Sequence, residues 1–198
     1  MCDILCVTNR ALCREDFPAR LEALAKARPA GIVLREKDLS PAEYEALAHE
    51  ALAICERHGV PCILHSFPDV AIKLGAKNLH MPLPLLRQME PEARAGFSLL
   101  GASCHGPAEA VEAQALGCTY ITAGHVFDTD CKKGLPGRGL DFLREVCSRV
   151  TIPVYAIGGV SQENIAAVRQ AGAAGACVMS GAMTCPDPAT YLAGFARM

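Results

Sequence analysis

Residues 123 to 139 read AGHVFDTDCKKGLPGRG, a stretch that gathers a histidine, two aspartates, a cysteine, three cations and four glycines. A plain connector requires none of these. His125 follows Gly124 and is succeeded by Thr129, Lys132 and Lys133. An imidazole in such a positive field can exchange protons near neutral pH beside a bound anion, which makes His125 the candidate general acid or base. Two further stretches, AIGGV at 156–160 and VMSGAM at 178–183, can present bare backbone N–H groups. Glycine lets an anion approach the main chain closely, and N–H donors at a helix start favour a phosphate. Four histidines, His65, His80, His105 and His125, fall at or near the ends of apolar runs and raise the question of a metal. No HxH, HExxH or histidine–carboxylate cluster accompanies them, so a catalytic metal is not expected. His80 reads instead as a satisfied, half-buried ring.

These groups need a scaffold that brings them together. Short apolar runs at 4–8, 31–35, 61–65, 78–81, 98–103, 119–124, 153–158 and 174–181 alternate with helical patterns from end to end. Each run reads as a buried parallel strand. The clearest helix is SPAEYEALAHEALAICERHG, where Ser40 caps, Pro41 takes the first turn, Glu43 completes a capping box and Gly59 stops the helix. Tyr44, Leu47, Ala48, Ala51 and Cys55 form its buried face, while His49 and His58 lie off that stripe and are expected in solvent. Further helices are expected at 107–116, 139–149, 161–171 (capped by Ser161) and 187–197, with shorter or less regular segments joining strands 3 to 5. Eight strand-helix units without a linker or a composition shift predict one (β/α)8 TIM barrel domain spanning residues 1–198.

In that architecture the groups that meet a substrate gather at the C-terminal ends of the strands, and the loops after strands 7 and 8 form the usual phosphate site. This chain puts Thr8 and Asn9 there, then Arg35, Glu36 and Lys37, His65 and Ser66, Ser103 and His105, the loop from His125 to Arg138, the glycine pair, and Ser180 with Gly181.

Bulk composition narrows the classes. The 198 residues are 51% hydrophobic and 20% charged, with no Trp, so small aliphatic side chains must fill the interior. A formal net charge of −2, with no basic stripe interleaved with aromatics, gives no footprint for nucleic acid. No secretory leader or apolar run of about 18 residues is present, so no membrane partner is expected and a cytoplasmic location is. The 11 cysteines then read as reduced thiols, with Cys6, Cys62, Cys118 and Cys177 packed in or beside strands.

GHVFDTDCKKGLPGRG, together with IPVYAIGGVSQENI, AGAAGACVMSGAM and VLREKDLS, resembles the thiamine phosphate synthase superfamily, and within it most nearly the TenI-like thiazole tautomerases. The likeness covers nearly the whole chain. The synthase branch joins a pyrimidine diphosphate to a thiazole phosphate, using an Asn-Asp pair after strand 3, a further Asp after strand 4 for magnesium and a P-T-x-T-K loop after strand 6. This chain has His65 and Ser66, then HMPLPLL without a carboxylate, then Asp128, Thr129, Asp130, Cys131 and Lys132 at those places. Mg²⁺ requires oxygen ligands, and none remains there.

The tautomerase branch carries a histidine where the synthase loop has its first proline, and that position is His125. The resemblance therefore implies a cofactor-free isomerase in which His125 moves a proton from ring C2 to the exocyclic carbon of a 2-carboxy-4-methylthiazole phosphate. It implies a phosphate held by the amides around Gly158, Gly159, Met179 and Ser180, and a carboxylate near Thr129, Cys131 and Lys132. Ser103 joins the same pocket. Arg35 and Lys37 match a synthase motif for the pyrimidine diphosphate and are expected as residual lining or structural ion pairs. The resemblance also implies a homodimer or higher homo-oligomer. Two other functions stay open: a thiamine phosphate synthase with a rebuilt magnesium site, and a non-catalytic regulator that binds a thiazole or thiamine phosphate.

Overall fold

In the computed structural model, which describes residues 3–129 and 134–195, eight parallel strands close into a barrel in sequence order. They are β1 (Asp3–Val7), β2 (Gly31–Leu34), β3 (Cys62–His65), β4 (Asn78–Pro82), β5 (Leu99–Cys104), β6 (Tyr120–Gly124), β7 (Val154–Ile157) and β8 (Gly175–Val178). β8 pairs with β1 from Asp3↔Gly175 to Cys6↔Val178, which removes both sheet edges. Around them run α1 (Phe17–Lys26), α2 (Pro41–His58), α3 (Pro68–Lys73), α4 (Leu83–Leu86), α5 (Pro91–Ala95), α6 (Pro107–Ala115), α7 (Gly139–Arg149), α8 (Ile165–Gln170), α9 (Ser180–Thr184) and α10 (Pro188–Ala193). The expected (β/α)8 barrel is the observed fold.

The strands are continuous apolar runs because both of their faces are covered. Alternate side chains divide between two layers. Leu5, Val7, Val33, Ile63, Tyr120 and Cys177 fill the barrel interior. Their neighbours Ile4, Cys6, Ile32, Leu34, Leu64 and Ile121 pack outward against the helices. Without Trp, the interior is filled by two tyrosines. The rings of Tyr120 and Tyr155 cross edge-on with centroids 5.7 Å apart. Tyr120 fits because residue 101 is glycine: a Cβ there would collide with its ring and lie 2.6 Å from His80 Nδ1.

α2 forms as its sequence predicts. The Ser40 amide donates to Glu43 Oε2 at 2.9 Å, the Glu43 amide donates to Ser40 Oγ at 3.4 Å, and Gly59 ends the helix with φ 65°. Tyr44, Ala48, Ala51 and Cys55 are buried as expected, Ile54 joins them, and Leu47 is half-buried. His49 is exposed. His58 is not in free solvent: it is half-buried, with Nε2 2.6 Å from Glu22 Oε1 on α1. The off-stripe position turns it toward a neighbouring helix rather than toward water.

After β7 the expected helix over 161–171 is shorter, and Ser161 is not its cap. Asn164 Oδ1 accepts from the Ser161 amide at 2.9 Å, and its Nδ2 donates to the Gly159 carbonyl at 2.9 Å. These bonds close a turn over residues 159–164, and α8 begins after it at Ile165. After β8, the last run predicted to 181 stops at Val178 and α9 follows at once.

Cys6, Cys62, Cys118 and Cys177 are buried free thiols. Burial, joined for Cys6 by the nearby Cys185, pushes Cys6 up to about 12, and burial pushes Cys118 up to about 12, so both stay protonated. Among the described residues, no helix is long and apolar enough to cross a membrane.

Candidate active site

The strand C-termini surround a cavity of about 720 Å³. It receives Arg35 and Lys37 from β2, His65 from β3, His80 and Pro82 from β4, and Ser103 and His105 from β5. From the other side come His125, Thr129, Leu135 and Arg138 after β6, Gly158 and Gly159 after β7, and Met179 and Ser180 after β8. The structure therefore brings together nine of the candidate residues: Arg35, Lys37, Ser103, His125, Thr129, Gly158, Gly159, Met179 and Ser180. Cys131 and Lys132 lie outside the described residues, as do Asp130 and Lys133.

The end of β2 shows how a charged run is sorted. Arg35 and Lys37 line the cavity, while Glu36 between them is 2% exposed and turns into the protein. Its Oε1 accepts from Thr8 Oγ1 at 2.7 Å, and its two oxygens accept from the Arg10 amide at 3.1 Å and from Arg10 Nη1 at 3.2 Å. Arg10 also makes a two-pronged contact with Asp38, at 2.7 and 2.6 Å. Glu36 and Asp38 thus pin the loop after β1 to the loop after β2, which accounts for the REKD run as architecture. Among the described residues Arg35 takes part in no ion pair, so it is lining rather than structure.

The β3–β4 wall is neutral. Tyr44 Oη donates to the Leu34 carbonyl at 2.7 Å and accepts from the His65 amide at 2.8 Å, tying α2 to both strand ends. The His65 and His80 rings stack with centroids 5.6 Å apart. His65 Nδ1 lies 2.6 Å from Ser66 Oγ. His80 Nδ1 and Nε2 are each 2.9 Å from a hydroxyl, of Tyr120 and Ser103 respectively. His80 is 3% exposed, more deeply buried than the half-buried ring expected of it, and Ser103 already shares its hydroxyl with it. Burial holds His80 down at about 3. Burial first, then the nearby His80, Lys37 and Arg35, hold His65 down at about 2. Both are uncharged imidazoles at neutral pH.

The loop after β6 folds back on itself. The Arg138 amide donates to the His125 carbonyl at 3.0 Å, and the Gly139 amide to the Val126 carbonyl at 2.8 Å. Asp128 Oδ1 accepts from the Gly137 amide at 2.7 Å. His125 Nε2 lies 3.2 Å from the Leu135 carbonyl. A carbonyl can only accept, so Nε2 carries a proton and donates. Arg138 Nη1 donates to the His105 carbonyl, and its guanidinium stands 5.1 Å over the Phe142 ring. The glycine pair meets this loop from below. Gly158 and Gly159 have φ of 93° and 65°, and a Cβ on Gly158 would collide with His125 Cβ. The Phe127 amide donates to the Gly158 carbonyl at 3.0 Å.

Sequence reasoning missed Tyr191. It reaches the cavity from α10, and a Cβ on Gly181 would strike its hydroxyl. A tyrosine in the last helix, far from any strand end, carries no signal of that placement.

The geometry defines a (β/α)8 protein with a cation-bearing, carboxylate-poor mouth. A family model described as thiamine monophosphate synthase matches residues 4–182, and the chain belongs to that family. It is 34% identical over 176 residues to a thiamine-phosphate synthase of Thioalkalivibrio sulfidiphilus, covering 88% of this chain and 83% of that one. It is 35% identical over 176 residues to a thiamine-phosphate synthase of Thermus thermophilus, covering 86% and 84%. Among solved structures it resembles a thiamine phosphate pyrophosphorylase from Pyrococcus furiosus, with a TM-score of 0.83, 24% identity and coverage of 98% and 94%.

These relatives overturn the expected thiazole tautomerase. They are named synthases, which are transferases and not isomerases. The tautomerase expectation rested on a histidine in place of a proline at 125, together with the departures from the synthase pattern after strands 3, 4 and 6. In the structure Nε2 of that imidazole lies 3.2 Å from the Leu135 carbonyl of its own loop, a contact that also serves the folding of the loop.

The magnesium that the synthase resemblance implies does not fit the residues present. The described cavity lining holds cations, imidazoles, hydroxyls and backbone but no carboxylate. Among the described residues no three His, Cys, Asp or Glu side chains group as metal ligands. A hard dication needs carboxylate or carbonyl oxygens, and neutral imidazoles beside Arg35 and Lys37 do not replace them.

Proposed function

We propose that this protein is a transferase of the thiamine phosphate synthase type, joining a pyrimidine diphosphate to a thiazole phosphate with release of diphosphate. The observation that carries this is the 34–35% identity to thiamine-phosphate synthases over most of both chains. The site's chemistry supports it. Two phosphorylated heterocycles require anion-binding groups on opposite sides of one cavity, and the lining offers guanidinium and ammonium groups on one side and bare backbone amides on the other.

In this reading Arg35 and Lys37, which match the synthase motif, take the diphosphate from one side, and Arg138 faces it from across the mouth. The amides around Gly158, Gly159, Met179 and Ser180 take the thiazole phosphate. His65 and His80 present an uncharged wall to the rings between them. His125 and Thr129 line the thiazole side, and Ser103 holds the His80 ring in place. The chemistry is displacement: the bond from the pyrimidine's carbon to the diphosphate breaks as a bond to the thiazole forms, and the diphosphate departs as an anion. Fixing both substrates side by side supplies the proximity such a reaction needs. The family resemblance adds a homo-oligomer, which light scattering checks.

Incubating the purified protein with both substrates, with and without Mg²⁺, and assaying for thiamine phosphate tests the proposal. Product formation is expected. No product at saturating concentrations of both would sink it, and binding of both without turnover would make the protein a phosphoheterocycle binder.

A further inference from the structure

The cavity mouth keeps the cations that match the family's diphosphate motif, but it has the neutral His65 and His80 where the family resemblance implies a magnesium site, and this difference bears on what the protein needs in order to bind its ligand. We infer that this barrel binds a diphosphate group without a divalent cation, the charge being met by Arg35, Lys37 and Arg138. The inference deepens the transferase reading and rests on it for the identity of the ligand.

A diphosphate is normally delivered as a magnesium complex because its charge repels other anions and must be shared. Carboxylates at the site then hold the metal's far side. Among the described residues no carboxylate lines the cavity, and the nearby acids hold backbone or cations of the surrounding loops. Glu36 is buried on Thr8 and Arg10, and Asp38 is paired with Arg10. Asp128 accepts from Gly137, and Glu109 accepts from the His105 amide at 2.6 Å. Asp130 lies outside the described residues.

The three cations, in contrast, come from two loops that face each other across the mouth. Arg138 is held in place by the His105 carbonyl and the Phe142 ring, so its guanidinium is preorganised. Arg35 and Lys37 line the cavity from the end of β2, the strand that pairs with β3. A metal entering there would meet positive charge and donors that are already hydrogen-bonded. A bare diphosphate would meet the forked donors that bind such anions best.

Calorimetric titration of the full chain with inorganic pyrophosphate, once in EDTA and once in Mg²⁺, tests the inference. Binding in EDTA as tight as in Mg²⁺ or tighter is expected, because Mg²⁺ competes with the protein for the same oxygens. The double variant R35A/K37A should weaken the EDTA affinity by about tenfold or more. A cooperative urea transition of the double variant shows that it is folded when its affinity is read. Absent binding in EDTA, tighter binding in Mg²⁺, or unchanged affinity in the folded double variant would each overturn the inference. Pyrophosphate bound in EDTA by a protein that makes no thiamine phosphate would leave it standing and remove the transferase reading alone.

Discussion

At the residue scale, the histidines show how far a side-chain type can be read without its surroundings. Their positions at strand ends were legible because an apolar run must end somewhere. Their chemistry was not, because partners come from strands distant in sequence. His80 is 23 and 40 positions from the two hydroxyls that bond its ring. Glu36 is the same case inverted. In the sequence it is one more charge in REKD, whereas its burial on Thr8 and Arg10 makes it the fastener of two loops. A direct check lies in Tyr120, whose hydroxyl serves His80 Nδ1 at 2.9 Å. Tyr120→Phe leaves that buried nitrogen without its partner and should destabilise the fold by about 1–2 kcal/mol, read from urea denaturation. An unchanged midpoint would mean that the hydroxyl contributes nothing there.

At the element scale, legibility followed the completeness of the local signal. α2 carries every such signal, namely a cap, a proline at the first turn, a capping box, an apolar stripe and a terminal glycine, and it forms at the predicted boundaries. Ser40→Ala removes the oxygen that accepts from the Glu43 amide and should cost about 1 kcal/mol. A loss below a few tenths in chemical denaturation would show that packing alone sets where the helix starts. α8 carries weaker signals, and there a local turn closed by Asn164 on Ser161 and Gly159 comes before the helix. The strands were readable because burial on both faces leaves little room for polar residues. The loop after β6 was readable in composition but not in shape, since its closure depends on amides meeting carbonyls 13 residues away.

At the scale of the whole molecule, the stacked histidines couple stability to pH. Both are held far below the ordinary histidine value in the folded barrel, His65 to about 2 and His80 to about 3. The unfolded chain takes up two protons near pH 6.5 that the folded barrel refuses, so stability is full above about pH 6.5 and declines as pH falls from there toward about 3. The slope should approach about 1.4 kcal/mol per pH unit for each ring, or about 4 kcal/mol lost between pH 7.5 and 5. Urea unfolding at the two values measures it, and His65→Leu should flatten the slope by about half. A stability that does not change over this interval would contradict the neutral wall. The interior beneath that wall has a further use. The chain has 4 tyrosines and no tryptophan, so its intrinsic ultraviolet emission comes from phenols alone. Two of them cross in the barrel directly below His80, where Tyr120 touches the ring that forms the cavity floor. Because the Tyr120 hydroxyl bonds a ring that lines the cavity, tyrosine emission should change when a ligand fills that cavity, and a fluorescence titration with pyrophosphate reads the change.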